Sequence, residues 1–397
     1  MILGVKANNF RVIKHAGLKI PEFSVIIGKN GSGKTTLISV FDLTQRLISG
    51  DNLREASENI APFLSEIFNI NSEEKKIEIE IILQNKMSKI YRYCYSIVLN
   101  EFEKKNELII DKESLSLIDE TNKVLELIFK RNRSKLVKYN GHTEQEIPFK
   151  IVKDTLALAT YTDDAAIEVA KELKSCKIIG HNTIIQDKPL SVISGEQPDT
   201  NTLNGLAVAL YQKDRSAFDS AVKATKQIIP AFLAPHILLI GKHIPEDGLD
   251  KSENNIKRYF VWWNDEIQQE NTLSAISLSG GNAKVIYLIF SLFYAEQDSF
   301  IAIEEIENGM HIGRVSRLLD QLRTQATNRD LQVMLTTHSG EVLNYVTPQE
   351  VIYCSNDSKN GATYAISSDT DMYKAIKVDL KTRDITTRDL IESGMFE

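Results

Sequence analysis

The chain has 397 residues, 42% of them hydrophobic, enough to bury a large core and to build two or three lobes. Its net charge of −7 excludes a surface that is basic overall, so any contact with nucleic acid has to come from a local patch. The three cysteines, Cys94, Cys176 and Cys354, lie far apart without a C-x-x-C pair, which fits a reducing compartment and excludes a thiolate zinc site.

The first element reads as a strand, Ile2-Leu3-Gly4-Val5, and no apolar run reaches membrane-spanning length, so a cytoplasmic chain without membrane contact is expected. Phe23-Ser24-Val25-Ile26-Ile27 is a short buried strand, and Thr36-Leu37-Ile38-Ser39-Val40-Phe41 starts a helix. Between them Gly28-Lys29-Asn30-Gly31-Ser32-Gly33-Lys34-Thr35 fills the phosphate-loop pattern G-x-x-x-x-G-K-[ST] at every fixed position. Glycines let the backbone N–H groups of Asn30, Gly31, Ser32 and Gly33 turn toward phosphates, and the loop feeds a helix N-terminus whose dipole favours an anion. Lys34 would reach the β- and γ-phosphates, and Thr35 would supply a hydroxyl to Mg²⁺. The spacing therefore points to ATP-class ligands.

Residues 1 to about 155 are otherwise strand-rich. Lys76-Ile77-Glu78-Ile79-Glu80-Ile81 alternates with period two, Ile90 to Leu99 is rich in aromatic and β-branched residues, and Asn140-Gly141 is a hairpin-turn pair. Within this zone Lys130-Arg131-Asn132-Arg133-Ser134-Lys135-Leu136-Val137-Lys138 carries five basic residues in nine, the best candidate for a DNA-phosphate contact. Residues 156–255 read as mostly helical, interrupted by a polar, exposed segment from Gln186 to Thr202 that would suit a partner. Residues 256–397 alternate helix and strand, as in a parallel sheet being completed. There Leu278-Ser279-Gly280-Gly281 precedes a helix over about 283–295; at 1.5 Å per residue that helix is roughly 20 Å long and carries the tetrapeptide far from the phosphate loop. Phe300-Ile301-Ala302-Ile303-Glu304-Glu305 is an apolar strand ending in acids, a Walker B form that delivers Glu304 to a metal shell and Glu305 to an attacking water. Gln332-Val333-Met334-Leu335 is a further buried strand, ending in Thr336-Thr337-His338-Ser339; a histidine at the carboxyl end of a parallel strand is placed to sense a γ-phosphate.

In this order the motifs resemble the ATP-binding cassette class of P-loop ATPases, in its SMC, RecF and OLD-like branch, and within it the bacterial AAA-family ATP-binding proteins common in phage-defence loci. The start, Asn9-Phe10-Arg11-Val12-Ile13-Lys14, resembles the branch's N-F-R-x-[IF]-[KR] opening. The acidic segment departs from E-E-P-E-x-x-L-H-P, with Ile306 and Ile312 at the two proline positions of Glu304-Glu305-Ile306-Glu307-Asn308-Gly309-Met310-His311-Ile312. Gln84, which follows a strand, is one candidate for the Q-loop glutamine and reads equally well as a solvated strand end.

The resemblance implies an α/β P-loop NTPase. An N-terminal lobe (1–155) would hold the Walker A loop and an antiparallel β subdomain, a helical insert would follow (156–255), and a C-terminal lobe (256–397) would carry signature, Walker B and switch histidine. It implies ATP and Mg²⁺ as ligands, with Arg11 and Thr36 added to the loop residues that bind nucleotide, Thr35 and Glu304 holding metal, and Lys34, Glu305 and His338 acting in hydrolysis. It further implies a homodimer closed by ATP, in which Ser279, Gly280 and Gly281 of one chain cap the γ-phosphate bound by the other. About sixty residues follow the His338 strand, too few for the TOPRIM nuclease of OLD-type proteins, so a nuclease or toxin effector would come from a separate chain. The alternative is a RecF- or SMC-like ATPase that clamps DNA. A third possibility is an ATP-gated scaffold in which Glu305 is misplaced. Trp262 and Trp263 read as packing groups rather than base-stacking ones.

Overall fold

The computed structural model describes residues 1–100, 107–140, 143–147, 152–180, 190–193, 197–241, 256–265, 275–357 and 361–366. They form two compact units. The first comprises Met1–Ile179, Gln297–Ile306 and the described residues from Asp330 on, and the second Gly180–Glu296 and Glu307–Arg329.

In the first unit the chain forms β1 (Ile2–Phe10), β2 (Ile13–Lys19), β3 (Phe23–Ile27), helices α1 (Lys34–Ser49) and α2 (Leu53–Glu58), and then β4 (Lys76–Gln84), β5 (Ile90–Asn100), β6 (Glu107–Ile118), β7 (Val124–Asn132), β8 (Lys135–Asn140) and β9 (Thr143–Ile147). Helix α3 (Asp164–Lys174) and β10 (Lys177–Ile179) follow. The second unit takes β11 (Leu190–Ile193), α4 (Leu203–Lys213), α5 (Arg215–Ile228), β12 (Phe232–Gly241), β13 (Ile256–Asp265), α6 (Gly280–Tyr294) and α7 (Ile312–Asn328). Strands β14 (Phe300–Ile303), β15 (Gln332–Thr337), β16 (Val351–Asp357) and β17 (Gly361–Ile366) return to the first unit.

The first unit is organised by a 14-stranded sheet in the order β10-β14-β15-β3-β16-β17-β2-β1-β4-β5-β6-β7-β8-β9. The run β10-β14-β15-β3-β16 is parallel. Its strands β3, β14 and β15 are buried at every residue, as parallel strands covered on both faces must be. From β17 through β9 the pairing is antiparallel, and β4 shows the expected alternation, with Ile77, Ile79, Ile81 and Leu83 buried. Helix α1 packs on the parallel part, where the Phe41 and Phe300 rings lie 4.7 Å apart. The hairpin expected at Asn140-Gly141 joins β8 to β9 in the register Asn140↔Thr143; Gly141 lies outside the described residues.

The zone over 156–255 is less helical than its composition suggests, because it also contributes β10, β11 and β12. Periodicity does not separate strand from helix for a run such as Ile237-Leu238-Leu239-Ile240; antiparallel pairing with β13 decides it. Nor do three consecutive zones describe the compact units: α3 and β10 join the first unit because β10 pairs in parallel with β14, and β14 pairs with β15 next to β3. Of the segment from Gln186 to Thr202, only Leu190–Ile193 and residues 197–202 are described.

In the second unit, β11-β13-β12 form an antiparallel sheet beside α4 to α7. Helix α6 is buried along most of its length, and Trp263 is fully buried, with its indole N–H donating to Asn204 Oδ1 at 2.9 Å. Trp262 stacks on Phe260 with centroids 5.7 Å apart, so both tryptophans pack within this unit.

Of the five basic residues of the run, Arg131 is buried in the fold, three more make ion pairs at the surface, and Lys130 is exposed. Arg131 is 1% exposed; it pairs with buried Glu113 at 3.4 Å and donates to the carbonyls of Thr155, Val152 and Arg133. Glu113 also accepts from the Ala157 and Leu158 N–H groups at 2.7 and 2.8 Å and from the Tyr93 hydroxyl at 2.9 Å. Arg133 pairs with Asp111, Lys135 with Glu146 and Lys138 with Asp163. The Glu113–Arg131 pair thus pins the segment after β9 to the sheet. Removing one partner strands a buried charge, so Glu113→Ala is expected to cost about 3–5 kcal/mol of unfolding free energy in urea titrations, with Glu113→Gln costing less.

Candidate functional site

The site is built by register. Ile27 pairs with Thr337, Leu335 with Ile303, Ile303 with Ile179, and Tyr353 with Ile27, so β3, β10, β14 and β15 end at one edge of the sheet, past which β16 continues. Gly28, Glu304 and His338 follow directly at that edge, beside Cys354 of β16, where open α/β sheets bind ligands.

The phosphate loop spans the gap from β3 to α1. Lys34 opens the helix and folds back, its Nζ donating to Gly28 O at 2.7 Å and Lys29 O at 3.0 Å. Thr35 is exposed, whereas Thr36 is buried. Gly33 sits at φ 114° as the helix cap, and a Cβ there would lie 2.7 Å from the Ala362 side chain and 2.8 Å from the Tyr364 hydroxyl. A Cβ on Gly28 would collide with Cys354 O. Gly31, at φ 77°, has nothing within 4 Å of its would-be Cβ, leaving an open cradle above the loop. Side chains of the β16–β17 hairpin reach the loop as well: Asn356 Nδ2 donates to Gly31 O at 3.0 Å, Cys354 Sγ to Ser32 O at 3.1 Å and the Tyr364 hydroxyl to Gly33 O at 2.7 Å. Burial pushes the Cys354 thiol up. A cleft of about 440 Å³ is lined by Asn30, Gly31, Ser32, Cys354, Ser355 and Asn356, and one of about 610 Å³ by Arg11, Val12, Phe68, Asn69, Ile70 and Asn356.

The acids come from the end of β14. Glu304 N–H donates to Ile179 O at 2.9 Å. Glu305 takes φ 46°, a left-handed turn held by two bonds to Thr336 of β15: Glu305 N–H to the hydroxyl at 2.9 Å and Ile306 N–H to the carbonyl at 3.0 Å. Ile306 is fully buried and uses an N–H that a proline would lack, so the turn is defined here without the proline. Glu305 Oε1 lies 3.4 Å from His338 Nε2, with both side chains about one-third exposed.

Arg11 sits in the β1–β2 turn at φ 49°. Its N–H donates to Ile67 O, its carbonyl accepts from Asn69 Nδ2 at 2.8 Å, and its guanidinium donates to Ser39 Oγ on α1 at 3.3 Å. Burial lowers its pKa while the charges of Glu304 and Glu66 act against that shift, which places Arg11 in the electrostatic reach of the β14 acids. Loop, Arg11, Glu304, Glu305 and His338 are therefore gathered in the first unit.

The signature lies in the second unit. Ser279 is the N-cap of α6, accepting from Asn282 N–H at 3.3 Å; Ser279 and Gly280 are exposed. Gly281 is buried against the Gly309 carbonyl, which a Cβ would strike, and Arg314 donates to Asn282 Oδ1 at 2.7 Å. Gln84 does not approach the loop. Its carbonyl accepts from the Met1 amino group at 2.9 Å beside Ile2, which bonds Gln332 at the start of β15, so it lies at the opposite edge of the parallel strands and is not a Q-loop residue. Thr336, Cys354, Asn356 and Tyr364 were not visible as site residues, since only pairing of β15, β16 and β17 brings them there.

An Mg²⁺ site fits this donor set. The Thr35 hydroxyl and Glu304 carboxylate offer the hard oxygen donors that Mg²⁺ takes and would hold it together with phosphate and water. Among the described residues no cluster of three or more His, Cys, Asp or Glu forms a separate metal site. Among them, too, no helix is long and apolar enough to cross a membrane.

The AAA ATPase domain family, AAA_15, matches residues 1–343. The chain belongs to this family and is an ATP-hydrolysing P-loop enzyme. An SMC head bound to the C-winged helix domain of ScpA superposes with TM-score 0.57 at 13% identity, over 95% of this chain and 99% of that one, which shows the same fold. The SMC head of Thermotoga maritima aligns at 8% identity and TM-score 0.46 over 92% of this chain and 98% of that one. A third SMC head, bound to the C-terminal domain of ScpA derived from Pyrococcus furiosus, aligns at 12% and 0.48 over 96% and 99%. No curated protein matches the sequence.

Gly28 and Gly31 separate two kinds of glycine requirement. Gly28→Ala must push β16 aside and is expected to lower stability by about 2 kcal/mol or more with loss of nucleotide binding. Gly31→Ala meets only backbone strain, about 1 kcal/mol, in the same urea titration.

Proposed function

We propose that the chain binds MgATP on the Gly28–Thr35 loop, dimerises head to tail around it, and uses the cycle of closure and hydrolysis to control a separately encoded protein effector in the cytoplasm, in anti-phage defence. The observation that carries the nucleotide part is the common edge at which the phosphate loop, the β14 acids and His338 follow strands of one register. Lys34 would exchange its two loop carbonyls for phosphate oxygens, Thr35 and Glu304 would hold the metal, and Thr36 and Arg11 would complete the nucleotide contacts. The larger cleft beside Arg11, Phe68 and Asn69 suits the nucleoside. Bound Mg²⁺ neutralises charge on the β- and γ-oxygens.

Glu305 is the group to take a proton from the attacking water, and His338, within reach of it, would orient that carboxylate and contact the γ-phosphate. The exposed Ser279 and Gly280 at the start of α6, with Gly281 behind them, would cap the partner's γ-phosphate, so that ATP, not ADP, closes the dimer. The defence assignment follows the motif resemblance to ATP-binding proteins of phage-defence loci. An effector in a separate chain also accords with an SMC head of the same fold having been solved with a protein partner. The alternative is a RecF- or SMC-like DNA-binding ATPase: Arg131 is buried, but Lys130 is exposed and Arg133, Lys135 and Lys138 hold only surface ion pairs that a phosphate could replace.

Steady-state turnover tests the assignment. Glu305→Gln is expected to lower kcat by about 10²–10⁴-fold while ATP still binds, and duplex DNA to leave the parent rate unchanged. Stimulation by DNA would favour the clamp reading, and full activity in Glu305→Gln would remove Glu305 from catalysis. In sedimentation with Glu305→Gln as background, ATP is expected to produce a dimer that Ser279→Arg abolishes; a dimer surviving Ser279→Arg would exclude the signature from the interface.

A further inference from the structure

The carbonyls of the phosphate loop are held from two sides. Lys34 takes those of Gly28 and Lys29, and the β16–β17 hairpin takes those of Gly31, Ser32 and Gly33 through Asn356, Cys354 and Tyr364. In a trans peptide the C=O and the following N–H point in opposite directions, so a carbonyl tied to the hairpin turns its partner N–H away from it. Fixing Ser32 O and Gly33 O therefore directs the N–H groups of Gly33 and Lys34, while the Asn356 bond to Gly31 O holds the turn that Ser32 N–H closes on Lys29 O at 3.1 Å. Ala362 and Tyr364 crowd Gly33, and Cys354 O crowds Gly28, so the loop and hairpin fit as one packed surface.

We infer that Asn356, Cys354 and Tyr364 are positioning residues that hold the phosphate loop in its anion-receiving form before nucleotide arrives. The inference rests on the reading that the phosphates occupy this loop. A loop released from the hairpin has to lose the freedom of these peptides on binding, and the carbonyls of Gly31 and Ser32 are free to rotate toward the anion and repel it, whereas Gly33 O keeps its bond from Leu37 N–H at 3.0 Å and loses only the second donor that tightens it. The hairpin acts on ground state and transition state alike, since the α- and β-phosphates are bound in both. Its loss therefore appears in KM and in ADP affinity rather than in kcat.

The experiment uses the full chain carrying Tyr364→Phe, Asn356→Ala, or both, with a fluorescent ADP analogue for affinity and steady-state turnover for KM and kcat. Each single change is expected to weaken ADP binding roughly threefold and the pair roughly tenfold, with KM for ATP rising in step and kcat within about twofold of the parent, the scale of one and two neutral hydrogen bonds. Unchanged affinity in the double variant, or a fall in kcat with KM constant, would overturn the inference. So would a fall in affinity that disappears once binding is measured below the melting transition of each variant. Lys34→Ala, measured alongside, separates the two layers: parental ADP affinity in Lys34→Ala would place the phosphates elsewhere, whereas lost affinity there beside an unaffected double variant would sink the hairpin's role alone.

Discussion

Parallel pairing of β3 with β15 and β16, and of β15 with β14, is the constraint on which the rest depends. A one-residue slip in any of these pairings would move a motif by about 3.3 Å along the strand and send every side chain to the other face. The strands are apolar on both faces, so the polarity of their ends specifies the register: a slip would draw residues such as Glu304 and His338 into the buried sheet. The carboxyl edge gathers them because every parallel strand delivers its next residue there.

On this frame two turns carry chemistry through a backbone conformation unfavourable for their residues: Arg11 and Glu305 adopt positive φ, which Gly31 and Gly33 adopt without strain. Each is held by tertiary bonds: Arg11 by Ile67 and Asn69, Glu305 by Thr336, and the carbonyls of Gly31 and Gly33 by Asn356 and Tyr364 of the hairpin. A strained turn persists only when its surroundings over-determine it, and here the neighbouring strands do so. The missing proline after Glu305 is answered in the same way, by two backbone N–H groups that donate to one threonine.

The phosphate loop, the acidic strand end and the histidine were legible because each joins an apolar run to a short polar motif, a local pattern with a local cause. Gln84 stayed open between two readings for the same reason in reverse: a glutamine after a strand looks alike at either edge of a sheet, and only the bonds of Met1, Ile2 and Gln332 show which edge it occupies. The basic run left Arg131's burial unseen because charge density says nothing about counter-charges that arrive from β6 and from the start of α3. Helix and strand were confused over Ile237 to Ile240, where an apolar run suits both.

By itself the sequence determined the ligand class, the parallel core strands and the acids that follow one of them, since glycine spacing, β-branched runs and charge are properties of neighbouring residues. Tertiary structure alone decided that Cys354, Asn356 and Tyr364 stand against a loop more than 300 residues earlier. It alone brought Thr336 under the turn of Glu305 and buried Arg131 on Glu113. Those contacts join residues distant in the chain, and they exist only once strand pairing has brought the segments together.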